Sequence, residues 1–132
     1  MNEGIRLDPS FSDAFRIRGM VQKKRGEVDA ALADYAKAIS LDPKNANAFN
    51  SRALGWAAKR DYDRAIADLN EAIRLDPNLA MAFRNRAAQW RHKGNYKQAE
   101  ADLNEAARLD PKYQGLRVGL LRDRLVRPKR TK

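Results

Sequence analysis

The stretch LDPKNANAFNSRALGWAAKRDYDRAIADLNEAIRLDP, residues 41–77, begins and ends with the same tripeptide. Leu-Asp-Pro occurs twice more, at residues 7–9 and 109–111, and each copy begins 34 residues after the previous one. A fixed period of this length is typical of repeat proteins in which each copy is one supersecondary unit. The sequence therefore predicts several copies of a single structural unit.

Other residue types recur at the same period. They are a phenylalanine (Phe15, Phe49, Phe83), a small residue (Gly19, Ala53, Ala87) and a second small residue (Ala31, Ala65, Ala99). Small residues on two facing helices allow the helices to approach closely. These positions therefore predict where the two halves of each unit pack together.

Each unit is predicted to consist of two helices. In the third copy, apolar residues at helical spacing lie on both sides of Gly94, which permits the left-handed conformation that ends a helix. Asn95 is a favourable N-cap for the second helix, and Pro111 blocks its continuation. Arg60 stands at the Gly94 position of the second copy, where a left-handed conformation would cost roughly 1 kcal/mol.

The pattern resembles the tetratricopeptide repeat, in which a large residue, a Leu-Gly pair, a tyrosine, Ala-x₃-aromatic and proline follow in order. The second copy has Phe49-x₂-Arg52-Ala53-x₂-Trp56, Ala65-x₃-Leu69 and Pro77. An arginine replaces the usual leucine in every copy, and Gln22 replaces the usual aromatic residue in the first copy, whose core is expected to be looser. The resemblance implies an all-α fold, a right-handed α-solenoid of helix-turn-helix repeats with a C-terminal capping helix.

The predicted organisation follows the period. Residues 1–11 are interpreted as a remnant or an improvised cap of a preceding repeat, and we favour the remnant of a longer array. The predicted repeats span residues 12–45, 46–79 and 80–113, followed by a capping helix at 114–127 and a basic tail at 128–132. An exposed N-terminal end face would favour self-association through the first repeat.

A column of arginines on the first helices and a column of aspartates on the second helices share the period. They are Arg18, Arg52 and Arg86, and Asp34, Asp68 and Asp102. Because an unpaired buried charge costs several kcal/mol, we predict structural Arg–Asp ion pairs. Two alternatives stay open: the arginines reach solvent along their own stems, or they bind a ligand.

The resemblance places a concave groove for a partner on the first helices. Its expected residues are Arg16, Met20, Lys23, Asn47, Asn50, Leu54, Met81, Arg84, Ala88 and Arg91. Methionine gives adaptable contacts, asparagine can bond a peptide backbone, and arginine can bind carboxylates. We therefore expect a protein or peptide ligand with some acidic character, and the alternative is that these are ordinary solvated helix faces.

One subclass of the family grips the acidic C-terminal tails of chaperones with a two-carboxylate clamp of lysine, asparagine and arginine side chains. The matching positions here hold Arg16, Met20, Ser51, Met81 and Asn85. Only Arg16 preserves a charge, so the sequence argues against chaperone-tail capture of that type.

The sequence has few residues of the types that usually carry catalysis. The chain has no cysteine and a single histidine, His92, beside Arg91 and Lys93. Neither a metal-ligand spacing nor a Gly-rich phosphate loop is present. We therefore predict no enzyme activity, no catalytic residue, no metal and no cofactor.

Positive charge is concentrated at the C-terminal end. The formal net charge is +10, and residues 112–132 hold eight of the 27 lysines and arginines against one acid, Asp123. The alternative function is that this basic tail binds nucleic acid or an anionic membrane. The absence of cysteine and of a signal peptide favours the cytoplasm, with a fragment of a longer protein left open.

Overall fold

Six α-helices and a short 3₁₀-helix form the part of the chain that the computed structural model describes, residues 9–116. The helices are α1 (Pro9–Lys24), α2 (Val28–Leu41), α3 (Ala46–Ala58), α4 (Tyr62–Leu75), α5 (Ala80–His92), α6 (Tyr96–Leu109) and the 3₁₀-helix Pro111–Tyr113. None of these helices combines the length and the apolar character needed to cross a bilayer. No strand occurs in residues 9–116, so the predicted all-α fold is confirmed.

The helices form three hairpins that stack in chain order. The closest packing is within the pairs α1–α2, α3–α4 and α5–α6, while α2 packs on α3 and α4 packs on α5 between hairpins. Contacts also join α1 to α3 and α3 to α5. This nearest-neighbour arrangement is an α-solenoid. Most of the predicted N-terminal remnant, the capping helix beyond residue 116 and the basic tail lie outside the described residues.

The turn inside each hairpin has one residue in the left-handed conformation. Gly26, Arg60 and Gly94 have φ values of +83°, +63° and +80°. In the second hairpin the backbone N–H of Asp61 donates to the carbonyl oxygen of Trp56 at 2.9 Å, which closes the end of α3. Arg60 therefore adopts the geometry that glycine provides in the other two hairpins, at a conformational cost.

Side-chain caps differ among the hairpins. Asp61 accepts from the backbone N–H of Arg64 at 3.1 Å, whereas Asn95 forms no side-chain capping bond at the start of α6. The expected cap at Asn95 is therefore absent. The aspartates of the Leu-Asp-Pro phrases end the second helices and accept from the backbone N–H two residues later, in the pairs Asp42–Lys44, Asp76–Asn78 and Asp110–Lys112.

Alanine supplies most of the fully buried apolar side chains in the described residues. In the second hairpin Ala53, Ala65 and Leu69 are completely buried in one cluster. In the first hairpin, Gly19 faces Tyr35, and a methyl group at Gly19 would lie 2.6 Å from Cε1 of the tyrosine ring. The choice between glycine and alanine on the first helix therefore depends on the size of the residue opposite it.

The contact between Gly19 and Tyr35 predicts that the effect of a substitution at one position on stability depends on the residue at the other. Gly19→Ala should lower the free energy of unfolding by about 1–3 kcal/mol because the methyl group overlaps a buried ring. The same change made together with Tyr35→Leu should cost less than it does alone, because leucine is the residue at the matching position of α4. Urea unfolding of the single and double variants measures both effects. An equal cost of Gly19→Ala in the two backgrounds would contradict this packing argument.

Candidate functional site

A cavity of about 570 Å³ opens along the first helices of the hairpins. Its volume is within the rough range of 300–1,000 Å³ that is usual for ligand pockets. The lining comes mainly from α1 and α3, with one residue each from α2 and α5. These residues are Arg16, Ile17, Met20, Val21, Lys23, Lys24, Tyr35, Asn47, Asn50, Ser51, Leu54 and Met81.

The structure brings together most, though not all, of the predicted groove. The predicted residues that line the cavity are Arg16, Met20, Lys23, Asn47, Asn50, Leu54 and Met81. The other three, Arg84, Ala88 and Arg91, lie on α5 and do not line it. The guanidinium of Arg84 instead lies 6.0 Å from the centre of the Tyr113 ring. A role in binding stays a prediction for all ten residues.

Several lining residues were missed from the sequence. Ile17, Val21 and Lys24 lie on the same helix as the predicted residues. Ile17 and Val21 are four residues apart, and this spacing indicates that they share one face of the helix. Ser51 lies four residues after Asn47 on α3 and gave the same kind of signal. Tyr35 had none, because only the packing of α2 brings it to the cavity.

Large apolar side chains are open to solvent around the cavity. Ile17, Met20, Val21 and Met81 are 53%, 47%, 46% and 40% exposed. A group of exposed apolar side chains in a concave site is typical of an interaction surface rather than of an ordinary solvated face. The cavity can therefore bury apolar side chains of a ligand.

The cations at the cavity differ in how they are paired. Arg16 donates from Nε to Oδ1 of Asp13 at 3.1 Å, and Asn45 donates to the same carboxylate at 3.0 Å. The bond from Asn45 is the main cause of the lowered pKa of Asp13. Within residues 9–116, Lys23 and Lys24 form no ion pair. Carboxylates of a ligand would therefore meet uncommitted charge at the two lysines.

A buried amide forms part of the cavity wall. Asn50 is only 4% exposed, and its Oδ1 accepts from Nδ2 of Asn85 at 2.9 Å. Among the residues that the structure describes, the Nδ2 of Asn50 has only the thioether sulfur of Met81, at 3.7 Å, as a hydrogen-bond acceptor. A thioether is a weak acceptor, so a ligand carbonyl that displaced Met81 would bond Asn50 more strongly.

Each arginine of the recurring column binds the aspartate of its own hairpin through two hydrogen bonds. Nε and a terminal nitrogen of Arg52 lie 2.8 and 2.9 Å from the two Asp68 oxygens. The other pairs, Arg18–Asp34 and Arg86–Asp102, have the same geometry with distances from 2.7 to 2.9 Å. The bonds from Arg18 lower the pKa of Asp34. This bidentate arrangement is the strongest that arginine and carboxylate form.

The arginines also lie over phenylalanine rings three residues earlier on the same helix. The distances from the guanidinium carbon to the ring centre are 5.3 Å for Arg18–Phe15, 5.7 Å for Arg52–Phe49 and 5.5 Å for Arg86–Phe83. These cation–π contacts orient the arginine stem toward the second helix. The recurring arginine therefore joins the aromatic residue of the first helix to the aspartate of the second.

His92, the sole histidine of the sequence, contacts an aromatic ring. Its ring stacks on Tyr62 with 4.9 Å between centres and 5° between planes. Partial burial, with Arg91 and Arg60 nearby, lowers the pKa of His92. Within residues 9–116 no group of three or more histidine, cysteine or acidic side chains could hold a metal ion. The predicted basic tail lies outside the described residues.

Comparisons of sequence agree with the helical hairpins. A family model described as TPR repeat matches residues 19–54. Two models described as tetratricopeptide repeat match residues 46–79 and 91–113. No curated protein matches the sequence.

Several solved structures are similar in fold. The first TPR of Spaghetti (RPAP3), bound to the HSP90 peptide SRMEEVD, has a TM-score of 0.82 at 21% identity, over 89% of this chain and 96% of that one. The Arabidopsis OM64 TPR domain has a TM-score of 0.82 at 24% identity, over 89% and 98%. The TPR2B domain of yeast Sti1, in a complex with pHsp70, has a TM-score of 0.80 at 23% identity, over 87% and 99%. At these identities the likeness shows the fold alone.

The ion pairs predict how stability responds to substitution. Arg52→Leu should lower the free energy of unfolding by roughly 1–3 kcal/mol, because it leaves the buried Asp68 carboxylate without its partner. Arg18→Leu should cost less, since the Arg18 side chain is 62% exposed against 26% for Arg52. Urea unfolding measures the difference. Stability that is unchanged or raised in Arg52→Leu with Asp68 present would show that the pair is not required.

The lowered pKa of His92 predicts a pH dependence of stability. A folded-state pKa below the usual 6.5 means that the folded protein resists protonation, so stability present above pH 6.5 declines as the pH falls through the lowered pKa. His92→Phe keeps a ring for Tyr62 and removes the titrating group. Urea midpoints at about pH 7.5 and about pH 5 should therefore fall more for the original chain than for the variant. Equal declines of the urea midpoint in the two proteins would show that His92 does not cause the pH dependence.

Proposed function

The chain belongs to the tetratricopeptide repeat family, and on this premise we propose that it is a non-enzymatic scaffold that binds a peptide or a helix of a partner protein. The bound segment would lie in the cavity along α1 and α3. The single observation that carries the proposal is the cavity itself, in which exposed apolar side chains stand beside two lysines without ion pairs in the described residues. A catalytic site would instead need converging polar groups with a nucleophile or base.

The chemistry of the cavity favours an amphipathic segment with acidic residues. Met20, Leu54 and Met81 can receive apolar side chains, and methionine adapts to ligands of different shape. Lys23 and Lys24 can attract carboxylates. The apolar contacts would provide most of the affinity, because exposed ion pairs usually contribute less than about 1 kcal/mol.

Chaperone tails of the kind bound by the Spaghetti and Sti1 domains are a poor match for this cavity. Met20 and Met81 stand at two positions where the clamp described above needs asparagine and lysine, and both contribute apolar surface to the cavity. Asn85 stands where the clamp needs arginine, and its amide already donates to Asn50. We therefore propose an internal or terminal segment of a different kind as the ligand.

Peptide selection followed by measurement of affinity tests the proposal. The folded chain is used to select from a library of random 12-residue peptides, and the best peptide is titrated by fluorescence anisotropy. We expect selected peptides to combine apolar and acidic residues. Leu54→Glu should weaken binding by about tenfold or more, because it puts a charge among the apolar side chains of the cavity.

Two controls locate the binding surface. Ala67→Glu changes an exposed residue of α4 outside the cavity lining and should leave the affinity unchanged. Charge reversal of Arg84 and Arg91 tests whether the binding surface extends along α5. Failure to select peptides, or equal loss from Leu54→Glu and Ala67→Glu, would overturn the proposed groove. Selected peptides without acidic residues would overturn the acidic preference alone.

A further inference from the structure

The sulfur atoms of the described residues all lie at the cavity. The sequence has no cysteine and three methionines, of which Met1 is outside residues 9–116. The other two, Met20 on α1 and Met81 on α5, both line the cavity. They are 47% and 40% exposed, so a small oxidant in solution can reach both side chains. Two oxidisable groups from different hairpins therefore share one ligand surface.

Each of these sulfur atoms has a nitrogen donor beside it. Nη1 of Arg16 donates to the sulfur of Met20 at 3.3 Å. Nδ2 of Asn50 donates to the sulfur of Met81 at 3.7 Å, and Asn50 is only 4% exposed. A thioether is a weak acceptor, so both donors have a partner that satisfies them poorly. For the amide of Asn50, burial also limits the access of water as a replacement.

The shape of the cavity alone does not require sulfur. Leu54 occupies on α3 the position that Met20 occupies on α1, 34 residues earlier, and it lines the same cavity. A side chain that peroxide does not oxidise therefore fills the equivalent place. Leucine offers no acceptor to a donor four residues earlier on its helix, whereas Met20 accepts from Arg16 at this spacing. The methionines thus add to the apolar surface a sulfur atom in contact with a donor.

Oxidation by a peroxide changes the acceptor that these donors meet. A lone pair of the methionine sulfur attacks one oxygen of hydrogen peroxide, so that a sulfur–oxygen bond forms and the oxygen–oxygen bond breaks. The proton of the transferred oxygen moves to the departing oxygen, which leaves as water, and two electrons pass from sulfur to the peroxide. The product, methionine sulfoxide, is polar and carries an acceptor oxygen. Rotation about the flexible bonds of the methionine side chain brings this oxygen to the neighbouring nitrogen.

We propose that Met20 and Met81 are a pair of oxidation sites through which peroxide closes the cavity to its ligand. This inference rests on the proposed function, since it concerns the regulation of binding in the same cavity. The sulfoxide of Met81 accepts from Asn50 and occupies the donor that is otherwise open to a ligand carbonyl. The sulfoxide of Met20 accepts from Arg16. Both oxidations also replace apolar surface with a polar group, which lowers the affinity for apolar side chains.

Peroxide treatment of the full chain tests whether both sites are oxidised and whether the donors hold the products. Peptide mapping by mass spectrometry follows Met20 and Met81 during treatment with dilute hydrogen peroxide. In NMR spectra of isotope-labelled protein, the side-chain amide protons of Asn50 should shift downfield as Met81 is oxidised, because the sulfoxide oxygen is the stronger acceptor. The same treatment of Met81→Leu should leave these protons unshifted. Resistance of either methionine to oxidation, or an unshifted Asn50 amide in the original chain, would contradict the proposal.

Two probes measure the closure of the cavity. The dye anilinonaphthalene sulfonate fluoresces in apolar surroundings, so its fluorescence with the protein should fall on oxidation. A peptide selected with the unoxidised chain should bind the oxidised chain about tenfold more weakly. Each protein is compared with its own unoxidised form, and this ratio should be close to one for the double variant Met20→Leu, Met81→Leu. Methionine sulfoxide reductases should restore binding with a dithiol, which becomes a disulfide while the sulfoxide oxygen leaves as water.

Urea unfolding distinguishes closure of the cavity from loss of the fold. Closure should leave unfolding cooperative, because both methionines are at the surface of the cavity. Loss of cooperative unfolding with rising dye fluorescence would refute closure. Unchanged dye fluorescence or unchanged peptide affinity after oxidation would refute the regulation and leave the proposed function in place. Absence of peptide binding before oxidation would instead count against the proposed function, and the dye and the Asn50 amide would then still decide whether oxidation closes the cavity.

Discussion

Close approach of the two helices in each hairpin is the constraint on which the structure depends. The helices are only 13 to 16 residues long, and a single hairpin of this size cannot bury its own apolar face. Small residues increase the burial within a hairpin because they let the two helices approach closely, as at Gly19 against Tyr35. Stacking buries the remaining apolar surface, because each hairpin covers the exposed side of the next.

Buried polar groups then fix how the close-packed helices are oriented. An alanine-rich core has few large side chains that interlock between the helices. The bidentate pair of Arg52 and Asp68 requires two simultaneous distances below 3 Å, which only one register satisfies. The phenylalanine under each arginine limits the guanidinium further. The ion pairs thus act more as a constraint on geometry than as a large source of stability.

The first helices pack against the second helix of their own hairpin and against the neighbouring hairpin, and their remaining face lines the cavity. Variation at the cavity-lining positions of the first helices changes the chemistry of the cavity, whereas Gly19 and Arg52 on the same helices hold the hairpins together. Met20 and Leu54 make this cavity apolar, while the amide pair of Asn50 and Asn85 connects α3 to α5 below it. The positive charge of the cavity resides on lysines at its edge, since Arg16 is engaged by Asp13.

The sequence by itself determined the repeating unit and the all-α class, and it predicted the Arg–Asp partners, because each depends on a residue type that recurs at a fixed spacing. It also indicated the left-handed turn at Arg60, since glycine occupies that position in the other hairpins. Only the tertiary structure decided which helix faces meet the cavity. Tyr35 reaches it from a second helix, and Arg84 turns instead toward Tyr113. The crossing angles between helices decide which side chains of different helices come together. The spacing of residues within one helix does not predict those angles.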